Sequence, residues 1–289
     1  MAGTAENKAL AALLNLLDEP DEKAFDLIRD SILDFGTEAI PQLEKVLENS
    51  FDPLIQGRIE DIVGTLRRDS LYVDFVNWVN LGSSDLLKGY MLVTRTQYPD
   101  LDDVEIYSKI EQVRMDIWLE LNENLTALEN VKVVNHILYG LHHFDGNKVN
   151  LTAPEIFYLN TMLDTRKGSP VALGMLYIIL AQKLGLPIYG VNLPQHFILA
   201  YLTDYGLSNP TEDDVLFYIN PFNKGAVFTR REIDLFIRQM KFKPDRSFFA
   251  PCTNHDIIKR LIHNLINAYT QLGYPDKIDN LDNLLKAFE

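Results

Sequence analysis

The chain has one cysteine, Cys252, among 289 residues. A single thiol excludes an internal disulfide and any cysteine-built zinc site. Positive charge is scarce as well: 27 Lys and Arg stand against 41 Asp and Glu, a formal net charge of −14. The longest cationic runs are Arg67-Arg68 and Arg230-Arg231, which argues against nonspecific binding to nucleic acid or an anionic membrane. No apolar run approaches the ~18 residues of a membrane helix. The first residues lack a basic segment and carry acids at Glu6 and Asp18, so no signal peptide is expected and the expected location is cytoplasmic. Phosphate-binding glycine loops, a G-x-S-x-G elbow and a dinucleotide fingerprint are missing, so no cofactor is expected. His136, His142 and His143 do not share a helix face, and Asp204, Glu212, Asp213 and Asp214 lack calcium-loop spacing. No metal is expected.

What is present reads as globular, with 47% hydrophobic and 24% charged residues. Apolar spacing of three and four residues predicts helices over Lys8–Leu17, Asp21–Phe35, Ala39–Leu47, Pro53–Leu66 and Tyr72–Asn80. Ser84 and Asp102 can cap two more, one ending at Tyr98 and one running past Ile117. A further helix is expected from about Asn130 to Gly140, and Thr152-Ala153-Pro154-Glu155 has the form of a capping box. The phrase D-F-G-T-E-A-I-P-Q-L-E-K-V-L, from Asp34 to Leu47, resembles a HEAT-like helix pair. Only about two such units are visible.

The chain is organised around Asn160–Tyr201. Ser169 can cap a helix at whose first position Pro170 costs nothing. From Val171 to Leu184 that helix has no polar face, so it is read as buried. Gly185 and Pro187 stop it. Strands follow at Ile188–Asn192, Phe197–Leu202 and Val215–Ile219, with the acidic connection Thr203–Asp214 between the last two. Helices capped by Thr229 and Thr253, and one opened by Pro275, complete the chain.

Four segments carry a resemblance: R-x-G-S-P-V-A-L from Arg166, L-Y-x-x-x-A-x-x-L-G-L-P from Leu176, G-V-N-L-P-x-H-F from Gly190 and N-P-F-x-x-G from Asn220. Together they resemble the SirB-type branch of the transglutaminase-like superfamily. That resemblance implies a papain-like core with a Cys, His and Asp site. The cysteine position falls on Pro170, with Ser169 beside it; the His matches His196 and the Asp matches Asn220. Gln195 stands where the SirB-type pattern has glycine.

Each of these positions also has a plain structural reading. Ser169 is either a helix cap or a nucleophile at a helix N-terminus. His196 is either a general base or a hydrogen-bonded residue beside an apolar run. Asn220 either orients the imidazole or forms a turn before Pro221. Cys252 has no basic neighbour to activate it and is read as buried and inert.

The expected fold is α+β and mainly α. A helical HEAT-like region (1–69) precedes a transglutaminase-like core with a helical lead-in and a small antiparallel sheet (70–250), then C-terminal helices packed on the core (251–289). The expected function is that of a pseudoenzyme: a non-catalytic protein- or peptide-binding or scaffold module. The alternative is a hydrolase or acyl-transferase using Ser169, His196 and Asn220.

Overall fold

The computed structural model describes residues 2–204, 210–243 and 245–289, with side chains from Lys8 onward. Part of the acidic connection Thr203–Asp214 therefore lies outside the described residues. The chain divides into two compact units, Met1–Asn77 and Trp78–Glu289.

The first unit holds α1 (Ala2–Leu14), α2 (Glu22–Leu33), α3 (Ile40–Asn49) and most of α4 (Pro53–Asn80). The side chain of Asp21 caps α2 by accepting from Lys23 N and Ala24 N. Leu10, Phe25, Ile32, Leu43, Ile59 and Ile62 share one core. Arg58 is buried. It donates to Leu17 O (2.9 Å) and Glu19 O (2.8 Å), and its guanidinium lies 3.7 Å from the centre of the Phe25 ring. The expected separate helices Pro53–Leu66 and Tyr72–Asn80 are one continuous helix. Between them the sequence LRRDSLY offers no Gly or Pro to interrupt it.

The second unit begins with α5 (Leu86–Arg95), α6 (Asp103–Glu120) and α7 (Ala127–Asn135), the last continuing as a π-helical turn over His136–Leu141. Asp85, and not Ser84, caps α5, its carboxylate accepting from Lys88 N. A Thr126–Glu129 capping box starts α7 ahead of Asn130. Thr152 does not cap a helix: its hydroxyl donates to Asn150 Oδ1, and Ala153 holds the cap position of the turn that follows. A 3₁₀ turn over Pro154–Phe157 stands there instead, before α8 (Leu159–Thr165). Short strands β1 (Asp145–Gly146) and β2 (Lys167–Gly168) pair in parallel.

Next comes α9 (Pro170–Lys183), buried on every side from Val171 to Ala181. It ends in a Schellman turn: Gly185 has φ +71°, and the N–H groups of Gly185 and Leu186 donate to Gln182 O and Ala181 O. The sheet follows as a meander of β3 (Ile188–Leu193), β4 (His196–Leu202), β5 (Val215–Asn220) and β6 (Ala226–Phe228), all antiparallel. The sequence spacing predicts three of these strands. β6 is too short and too polar on its flanks to stand out. Helices α10 (Arg230–Gln239), α11 (Asn254–Leu272) and α12 (Pro275–Lys286) close the unit. The fold is thus mainly α with one small antiparallel sheet, as the sequence predicts.

Side chains alternate across a sheet, and here the two faces have different neighbours. Val191, Leu193, Ile198, Ala200 and Tyr218 form a core with Ile233 and Ile237 of α10. The opposite face carries Gly190 and Phe197. The Phe197 ring lies against Gly174 of α9, while Gly190 lies against Phe197, Ile257 of α11 and Cys252.

Candidate functional site

Ser169 is wholly buried at the start of α9. Its Oγ accepts from Ala172 N (3.2 Å), its carbonyl accepts from Leu173 N, and its own N–H donates to Ile156 O. A hydroxyl engaged with the first helical turn and removed from solvent is a cap. Pro170 occupies the next position and carries no reactive atom.

His196 pairs with Leu193 across a two-residue turn of Pro194 and Gln195. The register therefore puts it on the Leu193 and Ile198 face, turned to α10. Its ring meets Phe236 edge-on, with centroids 5.0 Å apart. Partial burial, and then the positive charge of Arg260, hold its pKa below the usual histidine value. A carboxylate partner would act in the opposite direction. Phe197, one residue on, is the side chain that faces α9 at this end of β4.

Asn220 closes β5 at the same end of the sheet as His196 opens β4. Its Oδ1 accepts from Phe222 N and Asn223 N, 3.1 Å each, and so forms the 3₁₀ turn Pro221–Asn223. The N-P-F-x-x-G segment is further locked by residues of α7, of the π-helical turn and of α9. Tyr139 Oη donates to Pro221 O (2.9 Å), Asn135 Nδ2 donates to Gly225 O (2.8 Å), and Tyr177 Oη donates to Asn135 Oδ1 (3.1 Å). Gly225 has φ +71°, and a Cβ there would lie 1.8 Å from Asn135 Oδ1. The structure thus brings His196 and Asn220 to one end of the sheet. Ser169 begins a helix packed on the other face.

Cys252 lies beside Gly190, its N–H donating to Gly190 O (2.8 Å). Burial first, and then Asp256, push its thiol up to about 12, so the thiolate is disfavoured at neutral pH. Arg260 of α11 has no distinguishing sequence signal. It donates to Asn192 Oδ1 (3.3 Å) and Leu193 O (3.1 Å), and its guanidinium lies 5.7 Å from the Phe197 ring centre. His142 pairs with Asp116 at 2.7 Å. Among the described residues no three His, Cys, Asp or Glu side chains are grouped to hold a metal ion, and no helix is long and apolar enough to cross a membrane.

Residues 104–263, more than half of the chain, match the family model described as the transglutaminase-like superfamily. The chain belongs to that superfamily. Among its similar proteins is a UPF0162 protein of Xylella fastidiosa (strain 9a5c), 26% identical over 226 residues, which covers 72% of this chain and 75% of that one. UPF0162 protein YchA of Escherichia coli (strain K12) is 23% identical over 184 residues, 62% of this chain and 65% of its own. F-box only protein 21 of Homo sapiens is 29% identical over 155 residues, 53% of this chain and 23% of its own. No solved structure matches.

Proposed function

We propose that the protein is a non-catalytic member of the SirB-type branch of the superfamily and acts as a protein- or peptide-binding module. The observation that carries this reading is the two-residue period of β4. It turns His196 towards α10 and sets Phe197 against Gly174 of α9, so a base on one face and a helix N-terminus on the other have no shared reacting centre. The buried, capping Oγ of Ser169 supports it. So does the raised pKa of Cys252, which leaves no activated thiol to take the nucleophile's place.

The test is covalent labelling of the full-length protein with a serine-directed fluorophosphonate and a thiol-directed chloroacetamide, alongside Ser169→Ala and His196→Ala variants. The expected result is no stoichiometric labelling of the native protein at either position. Labelling of Ser169 that disappears in His196→Ala would establish the hydrolase or acyl-transferase and overturn the reading.

A further inference from the structure

Helix α6 carries two apolar stripes. Ile106, Ile110, Val113 and Ile117 recur at four, three and four residues and are buried, which is what an ordinary surface helix needs. On the other side Val104, Tyr107, Met115 and Trp118 follow the same alternation, with Glu111 filling the step between Tyr107 and Met115. At 100° per residue these five lie within about 80°, a little under a quarter of the helix circumference, with Leu119 about 40° beyond them. All of the apolar members are exposed: Val104 at 78%, Tyr107 at 43%, Met115 at 40%, Trp118 at 55% and Leu119 at 70%. A lone exposed apolar side chain needs no explanation, whereas four on one helix face, a tryptophan among them and only Glu111 between, do. From Val104 to Trp118 the stripe is about 21 Å long at 1.5 Å per residue, the length of about four helical turns.

The charge around the stripe selects its occupant. Along α6 the acids Asp103, Glu105, Glu111, Asp116 and Glu120 outnumber Lys109 and Arg114. Both cations are engaged, Lys109 with Glu105 (2.5 Å) and Arg114 with Glu111 (2.6 Å). Asp103 and Asp116 pair with Arg95 and His142, and Glu120 adds an acid without a partner among the described residues, so the helix stays net acidic. With a net charge of −14 over the whole chain, a second copy would bring the same acidic surface against this one, which opposes an isologous pairing. A helix with an apolar face and lysine or arginine on its flanks meets both features at once.

We infer that the outer face of α6 is a docking surface for a basic amphipathic helix of a partner protein, anchored by Trp118 and Met115. This rests on the binding-module reading above and gives it a partner chemistry. The two fail separately, because labelling of Ser169 would refute the first without touching α6.

Trp118 is exposed and the other tryptophan, Trp78, is buried, so emission from Trp118 reports directly on the surface. The full-length protein is titrated with a synthetic four-turn peptide of leucine and lysine patterned for one apolar face, and with its leucine and glutamate counterpart. The expected result is a blue shift on adding the lysine peptide, with affinity falling several-fold between about 50 and about 300 mM salt. Tyr107→Ser combined with Met115→Ser leaves the reporter in place and is expected to weaken binding roughly tenfold, with far-UV circular dichroism and Tm unchanged. Lack of a shift, equal affinity of the glutamate peptide, or equal affinity of the double variant would each overturn the inference. So would sedimentation showing that this face is closed by self-association before any peptide is added.

Discussion

Replacing Gly174 by alanine should destabilise the protein, although the same change in most helices does the reverse. Alanine is favoured over glycine in a helix interior by about 1 kcal/mol. Against that stands the Phe197 ring: a Cβ at position 174 would lie 2.5 Å from both Cδ1 and Cε1, and 3.5 Å from Pro221 Cγ. Carbon atoms pack at about 3.5–4.0 Å, so about 1 Å of overlap must be relieved. The ring has little room to move, because the backbone at Gly190 also approaches it closely enough that a Cβ there would be 2.7 Å from Phe197 Cζ. One glycine on α9 and one on β3 therefore hold the two sides of a single ring. α9 is buried throughout this stretch and has no solvent side to move towards. Overpacking of this kind costs about 1–3 kcal/mol. With no freedom to relax, the cost belongs at the upper end and outweighs the propensity gain, for a net loss of about 1–2 kcal/mol.

Urea unfolding followed by tryptophan emission is the assay, since both tryptophans belong to the second unit. Shortening the ring in a Gly174→Ala, Phe197→Leu double variant should recover part of the loss, with a coupling energy of about 1 kcal/mol. If Gly174→Ala alone were to raise the stability of this unit, the close approach of α9 to β4 would be wrong, and with it the face assignment that separates His196 from Ser169.

Three other outcomes are expected. Gln195 has φ +62° after Pro194, the order of a type II turn, in which glycine is favoured at that position; Gln195→Gly should stabilise by about 1 kcal/mol and raise Tm by about 2–4 °C, measured by calorimetry. Arg58→Lys shortens the side chain whose Nη1 donates to both Leu17 O and Glu19 O and removes the guanidinium plane stacked on Phe25; it should cost about 2 kcal/mol, seen as earlier melting of helical circular dichroism. His196 should titrate by NMR below the ordinary value of about 6.5, because burial and Arg260 both disfavour its cation. The unfolded chain then binds the proton more readily, so this group's contribution is complete above pH 6.5 and is lost as pH falls from there through the folded midpoint. A midpoint above 6.5 would reveal a carboxylate partner and contradict the geometry.

Signals confined to neighbouring residues are legible in the sequence. Ser169-Pro170 marks the start of α9 and Gly185 its end because caps and stops are local chemistry. The uninterrupted apolar run between them can only be buried. The order of strands is legible for the same reason. Misreadings arise where two local signals compete. Thr152 matches a capping box but lies one residue ahead of the true cap position, Ala153, and Ser84 lies one residue from the true cap, Asp85. The junction between Leu66 and Tyr72 looks like a break because its apolar spacing falters, although nothing in it stops a helix. Arg260, Asn135 and Tyr139 are invisible to sequence reasoning, since each acts on a segment more than 60 residues away.

The candidate site shows why motif order alone does not define a reaction. R-x-G-S-P, P-x-H-F and N-P-F-x-x-G each have a structural explanation here. The first caps α9, the second turns the chain from β3 into β4, and the third builds the turn that Asn135 and Tyr139 lock. Those structural roles account for Ser169, Pro170, Phe197, Asn220 and Gly225, but not for His196. Its ring stacks edge-on against Phe236 and remains exposed, a contact that other flat side chains could make. His196 is therefore the discriminating position. If the site retains chemistry, His196→Phe, which keeps the edge contact and removes the titrating nitrogens, should abolish it. If the protein works as a binding module through α6, His196→Phe should bind the lysine peptide as tightly as the native chain does.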